Sequence, residues 1–169
     1  PEENPGGVCL YRGCIPSKAL LHVARVMHDA GEASSWGVRF SEPEVDLDRL
    51  RAWKGDVVAK LTGGLGQLAK QRRVEHLQGI ARFRDRRSLT VHTAENGQQE
   101  VRFEQAIIAT GSEPIPLPHA PEDERVWDSA RALELPEVPQ SLLVVGGGYI
   151  GLELGTVYAA LGTRVTVVE

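Results

Sequence analysis

A glycine-rich turn near the end of this 169-residue chain places the strongest constraint on its fold. The turn, 146–151, reads GGGYIG and follows an apolar strand candidate at 141–145. A helix candidate at 152–161 comes next, and a second strand candidate at 164–168 ends beside Glu169. This order predicts a β-α-β unit, and therefore an α/β fold with a parallel sheet.

Three glycines of this turn have separate roles in binding a dinucleotide. Gly146 permits the tight turn, Gly148 lets the backbone approach a pyrophosphate, and Gly151 permits close packing of helix on strand. The helix N-terminus then offers free N–H groups to the phosphates. Glu169 can accept both ribose hydroxyls of adenosine and would repel a 2'-phosphate, so a Rossmann-like NAD site is predicted rather than an NADP site. The predicted NAD contacts also include Tyr149 and Ile150.

The chain has two cysteines, Cys9 and Cys14. Because a zinc site needs about four ligands and no histidine is near, no metal is expected there. A purely structural disulfide would be unusual in a chain with so few cysteines, while two buried free thiols are an alternative to redox chemistry. In a regular helix these Cα atoms would lie about 8.6 Å apart, whereas a disulfide needs less than about 7 Å. A bridge therefore requires a distorted turn, which Gly13 permits.

Lys18 adds a hint of catalysis to the cysteine pair. Lys18 follows Cys14 by four residues, so on a helix the two side chains lie on the same face. Its positive charge and the helix dipole would favour a Cys14 thiolate, and a disulfide closing so short a loop tends to be labile. The alternative is an ordinary surface lysine at a helix start.

Two helices are predicted before residue 73. The first spans 17–30, with Ser17 as its cap. The second spans 47–72, with a kink or break expected at its glycines because glycine is a poor helix former. The apolar face of the first consists of Leu20, Val23, Ala24 and Met27, and the kink or break in the second is expected at Gly63, Gly64 and Gly66.

Short strands are predicted after the second helix. They span 74–80, 81–84, 89–93 and 100–110, with Asn96 and Gly97 forming a hairpin turn. The apolar run 106–109 is typical of a strand that is buried on both faces. A proline-rich connector, 114–140, follows.

Composition argues against two kinds of partner. The net charge is −4, which disfavours nucleic acid. No apolar run approaches the roughly 20 residues of a membrane-spanning helix, so no membrane is expected either. The 41% hydrophobic and 25% charged residues are typical of a globular protein.

With both motifs in view, the sequence resembles the class I pyridine-nucleotide-disulfide oxidoreductases, and within them the dihydrolipoamide dehydrogenase group. The matching segments are 6–21, which contains both cysteines, 107–114, and 144–169. Weaker similarity fills the intervals, so the resemblance spans essentially the whole chain.

The resemblance implies an enzyme in which FAD lies between a redox disulfide and the nicotinamide of NAD. It implies that Cys9 exchanges with the dihydrolipoyl substrate and that Cys14 lies against the flavin. Lys18 would lie beside the flavin ring and pair with Glu153 on the nucleotide-binding helix. Further FAD contacts implied by the resemblance are Gly79, Ala109, Thr110 and Gly111.

The implied activity is oxidation of protein-bound dihydrolipoamide with reduction of NAD, as the dehydrogenase component of a 2-oxo acid dehydrogenase complex. The implied partners are a second copy of the protein and the lipoyl domain of the acyltransferase core. The expected location is the bacterial cytoplasm, which is favoured, or the mitochondrial matrix of a eukaryote. Alternatives are a related reductase of glutathione or mercuric ion, and a non-catalytic module derived from a flavoprotein.

The resemblance also implies that the chain is an internal fragment, truncated at both ends. Residues 1–113 would form an incomplete FAD-binding domain, 114–140 a connector, and 141–169 the start of an NAD-binding domain. The family's first strand and its acid/base His–Glu pair would lie outside the sequence. We expect the fragment by itself to be inactive.

Overall fold

The computed structural model describes residue 2, residues 4–93 and residues 97–169. The chain divides into two compact units, the first comprising 1–7 with 61–111 and the second 8–60 with 112–169. The elements are α1 Gly7–Arg12, α2 Cys14–Glu32, a 3-10 turn Ala33–Trp36, α3 Leu47–Gln71, β1 Ile80–Phe83, β2 Ser88–His92, β3 Gln98–Arg102, α4 Ser129–Glu134, β4 Ser141–Val145, α5 Tyr149–Ala160 and β5 Arg164–Val168.

The second unit contains the predicted β-α-β arrangement. Strands β4 and β5 are parallel, with Leu142 opposite Val165 and Val145 opposite Val168. Helix α5 connects them and packs on both strands as well as on α2. The α/β fold and the strand–turn–helix–strand order predicted from the sequence are confirmed.

The core of the second unit forms where α2, α4 and α5 meet. Burial of its apolar side chains is the main favourable contribution to this packing. Tyr158 is fully buried, and its hydroxyl donates to the Ala132 carbonyl oxygen at 2.9 Å. Burial raises the pKa of Tyr158 to about 12, because the charged form would lose hydration. The buried core residues are Leu20, Leu133, Leu135, Leu154, Val157 and Tyr158.

Basic side chains of α3 hold the C-terminal end of α4. Arg51 donates to the carbonyl oxygens of Leu135 at 2.8 Å and Pro136 at 2.9 Å, and Lys54 donates to that of Leu133. The Leu133 and Leu135 carbonyls are among those that a helix C-terminus leaves without helical partners, and Pro136 follows directly. Burial lowers the pKa of Lys54. The short helix α4, inside the proline-rich connector, was not predicted from the sequence.

The first unit contains an antiparallel meander of three strands. β1 pairs with β2 and β2 pairs with β3, with Leu89 opposite both Phe83 and Val101. Phe83 and Phe103 make an edge-to-face contact with ring centroids 6.0 Å apart. The meander is confirmed, although Asn96 of the predicted hairpin turn lies outside the described residues.

Two strand predictions are wrong. Residues 74–79 form no strand, and β1 begins at Ile80. β3 ends at Arg102, and 105–110 forms no strand, so the run expected to be buried on both faces is exposed, with Ile107 94% accessible. An apolar run becomes a buried strand only where neighbouring strands supply hydrogen bonds and other elements cover its faces. The described residues supply neither to this run.

The helix boundaries also differ from the prediction. Helix α2 begins at Cys14 with Gly13 as its N-cap, so Ser17 lies within its first turn and does not cap it. Helix α3 runs without a break through Gly63, Gly64 and Gly66. Because each glycine costs only about 1 kcal/mol, the good helix formers around them outweigh the cost. Among the described residues, no helix is both long enough and apolar enough to cross a membrane.

Candidate functional site

The cysteine pair forms a disulfide that joins α1 to α2. Gly13, between the helices, has φ −143° and ψ −112°, which breaks the helical path. The Cα atoms of Cys9 and Cys14 are therefore 4.7 Å apart, well inside the range that a disulfide requires. Both cysteines are exposed. The alternative of two buried free thiols is thus excluded, because the two cysteines are bonded to each other and neither residue is buried.

An ion pair connects the helix of the disulfide to the helix of the glycine turn. Lys18 Nζ lies 2.5 Å from Glu153 Oε1, across 135 positions of sequence. The Lys18 side chain is 59% exposed and that of Glu153 is 25% exposed. The hydrogen bond from Lys18 lowers the pKa of Glu153, and one from Ser17 adds to the effect while burial opposes it. Glu153 is therefore held as a carboxylate.

Ser17 is the residue of this cluster that the sequence did not reveal. Its hydroxyl is buried and lies 3.1 Å from the Cys14 carbonyl oxygen and 3.1 Å from Glu153 Oε2. Its position between the cysteines and Lys18 was visible in the sequence, but nothing there indicated a partner 136 positions away. Ser17 thus joins the disulfide segment to the ion pair.

The glycine turn has the geometry expected of a dinucleotide site. Gly146 has φ +102°, which side-chain-bearing residues rarely adopt. A Cβ on Gly151 would lie 2.6 Å from the Gly146 carbonyl oxygen and 2.9 Å from Val144 Cγ1, so α5 packs too closely on β4 for any side chain. A Cβ on Gly148 would meet nothing within 4 Å. The space in front of Gly148 is therefore open to a ligand.

Glu169 lies against this turn. Glu169 directly follows β5, and its Oε2 accepts a hydrogen bond from the Gly147 backbone N–H. Tyr149 and Ile150, in the first turn of α5, are 76% and 45% exposed. The predicted NAD contacts are thus gathered around one accessible turn.

The other predicted FAD contacts lie in the first unit. Residues 109–111 are exposed and form no helix or strand, and Gly111 has φ +85°. Gly79 has a different local explanation, since a Cβ there would lie 2.7 Å from Val91 Cγ1 and would also meet the His92 carbonyl. Close packing on β2 is thus sufficient reason for glycine at position 79.

Comparison with known sequences identifies the family. Residues 3–169 match the family model described as pyridine nucleotide-disulphide oxidoreductase. The dihydrolipoyl dehydrogenase of Haemophilus influenzae is 56% identical over 165 residues, and that of Thermus scotoductus is 50% identical over 165 residues. Each alignment covers 97% of this chain and 34% of the relative. The chain thus spans about a third of the length of these curated relatives.

Solved structures agree with this assignment. LpdA from Mycobacterium tuberculosis superposes with a TM-score of 0.86 at 24% identity, covering 98% of this chain and 37% of that one, which shows the shared fold. The HOCl-induced flavoprotein disulfide reductase RclA of Escherichia coli gives a TM-score of 0.77 at 29% identity, covering 99% and 34%. The exposed disulfide, the glycine turn and these similarities together show that the chain belongs to the pyridine nucleotide-disulphide oxidoreductase family.

Proposed function

We propose that the full-length protein containing this chain is an FAD-dependent dihydrolipoyl dehydrogenase, which oxidises dihydrolipoyl groups and reduces NAD. The observation that carries the proposal is the exposed Cys9–Cys14 disulfide, joined through Ser17 and Lys18 to the helix of a dinucleotide turn. The substrate class follows from the curated relatives at 46–56% identity, which are dihydrolipoyl dehydrogenases.

The proposed chemistry at the cysteines is thiol–disulfide exchange. One sulfur of the dihydrolipoyl group attacks Cys9, which forms a mixed disulfide and releases Cys14 as a thiolate. The second substrate thiol then displaces Cys9, so lipoamide leaves with its own disulfide closed and both enzyme cysteines reduced. The substrate has lost two electrons and two protons. Re-formation of the Cys9–Cys14 bond passes the electron pair to NAD, and the net products are lipoamide, NADH and one proton.

The glycine turn and the residue after β5 are the proposed NAD site. Gly146 and Gly151 shape the turn, while Gly148, Tyr149 and Ile150 face the accessible side. The free N–H groups at the start of α5 suit a pyrophosphate. Glu169 is the proposed acceptor for the adenosine ribose hydroxyls, and its carboxylate already lies beside the turn.

FAD, when bound, supplies a two-electron carrier between the Cys14 sulfur and the nicotinamide. Each unit, taken by itself, has residues that suit such a group. In the second unit, Lys18 carries its positive charge on the helix face of Cys14, four residues further along α2, and is paired with Glu153. Ala109, Thr110 and Gly111 are exposed and lie outside any helix or strand, and Gly111 has φ +85°, a conformation that residues with a side chain rarely adopt. Gly79 stays a proposed FAD contact, although its packing on β2 explains it equally well.

The proposal extends to organisation and partners. Residues 1–113 belong to an FAD-binding domain, 114–140 to a connector and 141–169 to an NAD-binding domain. The protein acts as a homodimer in the bacterial cytoplasm and receives electrons from the lipoyl domain of an acyltransferase core. Support for these statements is the similarity to the curated bacterial dihydrolipoyl dehydrogenases.

The alternatives have less support. A reductase of another disulfide or of mercuric ion would share the cysteine pair and the turn, and RclA shows that such relatives have this fold at 29% identity. The higher identity to dihydrolipoyl dehydrogenases favours the lipoyl substrate. A non-catalytic module would have no need of an exposed disulfide between two helices.

The test is replacement of either cysteine in the full-length protein. Cys9→Ser and Cys14→Ser should each lower the rate of lipoamide turnover by at least about a thousandfold, because a nucleophile is removed. FAD content, measured by absorbance, should be unchanged and serves as the control for folding. Wild-type lipoamide turnover by Cys9→Ser would contradict the proposal.

A further inference from the structure

Ser17 occupies a position between the disulfide segment and the ion pair. It is 7% exposed, although serine is usually found at the surface. Its Oγ lies 3.1 Å from the Cys14 carbonyl oxygen, one turn back in α2, and 3.1 Å from Glu153 Oε2 in α5. A hydroxyl has one proton to donate, so these two acceptors share it.

Glu153 is held from both of its oxygens. Oε2 faces the Ser17 hydroxyl, while Oε1 lies 2.5 Å from Lys18 Nζ. Lys18 is 59% exposed, so its long side chain is restrained mainly by this contact. The position of the Lys18 ammonium group therefore depends on the orientation of the Glu153 carboxylate.

Comparison with other serines of the chain shows that one of the two Ser17 contacts is a common local hydrogen bond and the other is not. Ser34 donates to the Gly31 carbonyl at 3.0 Å and Ser35 to the Glu32 carbonyl at 2.7 Å, both three residues back. The contact of Ser17 with Cys14 is of this local type. The contact with Glu153 is different, because it joins two helices and is made by a buried hydroxyl.

We propose that Ser17 is a positioning residue that orients the Glu153 carboxylate and thereby fixes the Lys18 ammonium on the helix face that carries Cys14. Charge at this place favours the reduced, thiolate form of Cys14. Ser17 thus tunes the thiol–disulfide equilibrium of the Cys9–Cys14 pair without touching either sulfur. The consequence of this shift for enzymatic turnover rests on the function proposed above, whereas the shift in the thiol–disulfide equilibrium does not.

The test measures the equilibrium constant of the Cys9–Cys14 couple in the full-length protein. The protein is equilibrated with glutathione buffers, the free thiols are alkylated, and both cysteines are quantified by mass spectrometry. Lys18→Ala should disfavour the reduced form. Ser17→Ala should shift the constant in the same direction by a smaller factor, about two- to fivefold, as expected for the loss of one hydrogen bond.

Two further variants separate positioning from general disturbance. Ser34→Ala removes a local hydrogen bond of the same type and should leave the constant unchanged. Ser17→Thr keeps the hydroxyl and should restore the wild-type value. Because Ser17 acts through Glu153, adding Ser17→Ala to Glu153→Ala should cause no further shift.

The inference is overturned if Ser17→Ala is indistinguishable from Ser34→Ala, or if its effect adds fully to that of Glu153→Ala. Neither result depends on lipoamide. If the proposed function failed, Cys9→Ser would keep its lipoamide turnover while the Ser17→Ala shift in the glutathione equilibrium persisted. The two failures are therefore distinguishable.

Discussion

At the scale of single residues, the absence of a side chain at Gly13 favours the close approach of the two cysteines. A Cβ there would lie 3.0 Å from the Val8 carbonyl oxygen and 3.1 Å from Cys9 Cα. A side chain at position 13 would therefore require the backbone of the α1–α2 junction to shift by a few tenths of an ångström. The junction is what brings the cysteine Cα atoms to 4.7 Å, in place of the roughly 8.6 Å of a continuous helix.

The ion pair of Lys18 and Glu153 should contribute little to stability. Lys18 is 59% exposed, so the pair belongs with surface ion pairs, which contribute about 0–1 kcal/mol, rather than with buried ones. The pKa of Glu153 is lowered in the folded state, chiefly by Lys18. Its contribution should therefore be complete above the unfolded value near pH 4.5 and should be lost as the pH falls through the folded pKa.

Thermal unfolding of the full-length protein between pH 3 and 7 checks this prediction. Glu153→Gln should remove a small part of the stability at pH 7 and little at pH 3. Arg25→Ala, which breaks an exposed ion pair with Asp29 on the same helix, is the matched control for a purely local pair. A loss of several kcal/mol for Glu153→Gln would mean that the pair is effectively buried.

At the scale of elements, two glycines of the glycine turn 146–151 should respond differently to alanine. Gly151→Ala places a Cβ 2.6 Å from the Gly146 carbonyl oxygen, and overpacking of this kind costs about 1–3 kcal/mol. Gly148→Ala meets nothing within 4 Å, and its φ of −68° suits alanine. It should therefore spare stability but weaken NAD binding.

Unfolding midpoints and NAD dissociation constants of the two full-length variants test this contrast, with each variant as the control for the other. Equal loss of stability in both would contradict the packing explanation for Gly151. Unchanged NAD binding in Gly148→Ala would contradict the position proposed for the pyrophosphate.

Glu169 should set the choice of nucleotide. A carboxylate that faces a 2'-phosphate adds an unfavourable contact of about 1.4–3 kcal/mol, which corresponds to a ten- to hundredfold preference for NAD. Glu169→Gln removes the charge and should reduce the ratio of kcat/KM for NAD to that for NADP by about tenfold. The ratio is its own control for changes in folding or FAD content. An unaltered ratio would show that Glu169 is not the ribose ligand.

The local sequence pattern predicted correctly those helices and strands whose partners lie close by in the sequence. The order of an apolar strand, a glycine turn, a helix and a second apolar strand predicted the β-α-β unit, and the spacing of Leu20 and Ala24 predicted the buried face of α2. Pattern was a poor guide where a segment needs partners from elsewhere, as Ile107 shows by its exposure. The glycines of α3 led to the wrong prediction of a kink or break. The helix is continuous, because the low helix propensity of single glycines is a small effect beside the cooperativity of a long helix.

At the scale of the whole molecule, the same distinction applies to the site. The cysteine pair and the glycine turn could be recognised from the sequence, because each is a contiguous motif. The pairing of Lys18 with Glu153 came from the family resemblance and is present in the structure. The contact of Ser17 with Glu153 joins residues 136 positions apart and could not be predicted from the sequence, because it depends on the packing of α2 against α5.

The central claim is that electrons enter the protein through the Cys9–Cys14 bond, and one measurement tests it directly. The oxidised full-length protein is mixed anaerobically with dihydrolipoamide in the absence of NAD, quenched with acid, alkylated and analysed by mass spectrometry. We predict that both Cys9 and Cys14 become alkylated, and that adding NAD before the quench returns them to the disulfide while NADH forms. Formation of NADH while the Cys9–Cys14 disulfide stays intact at every time point would contradict the account.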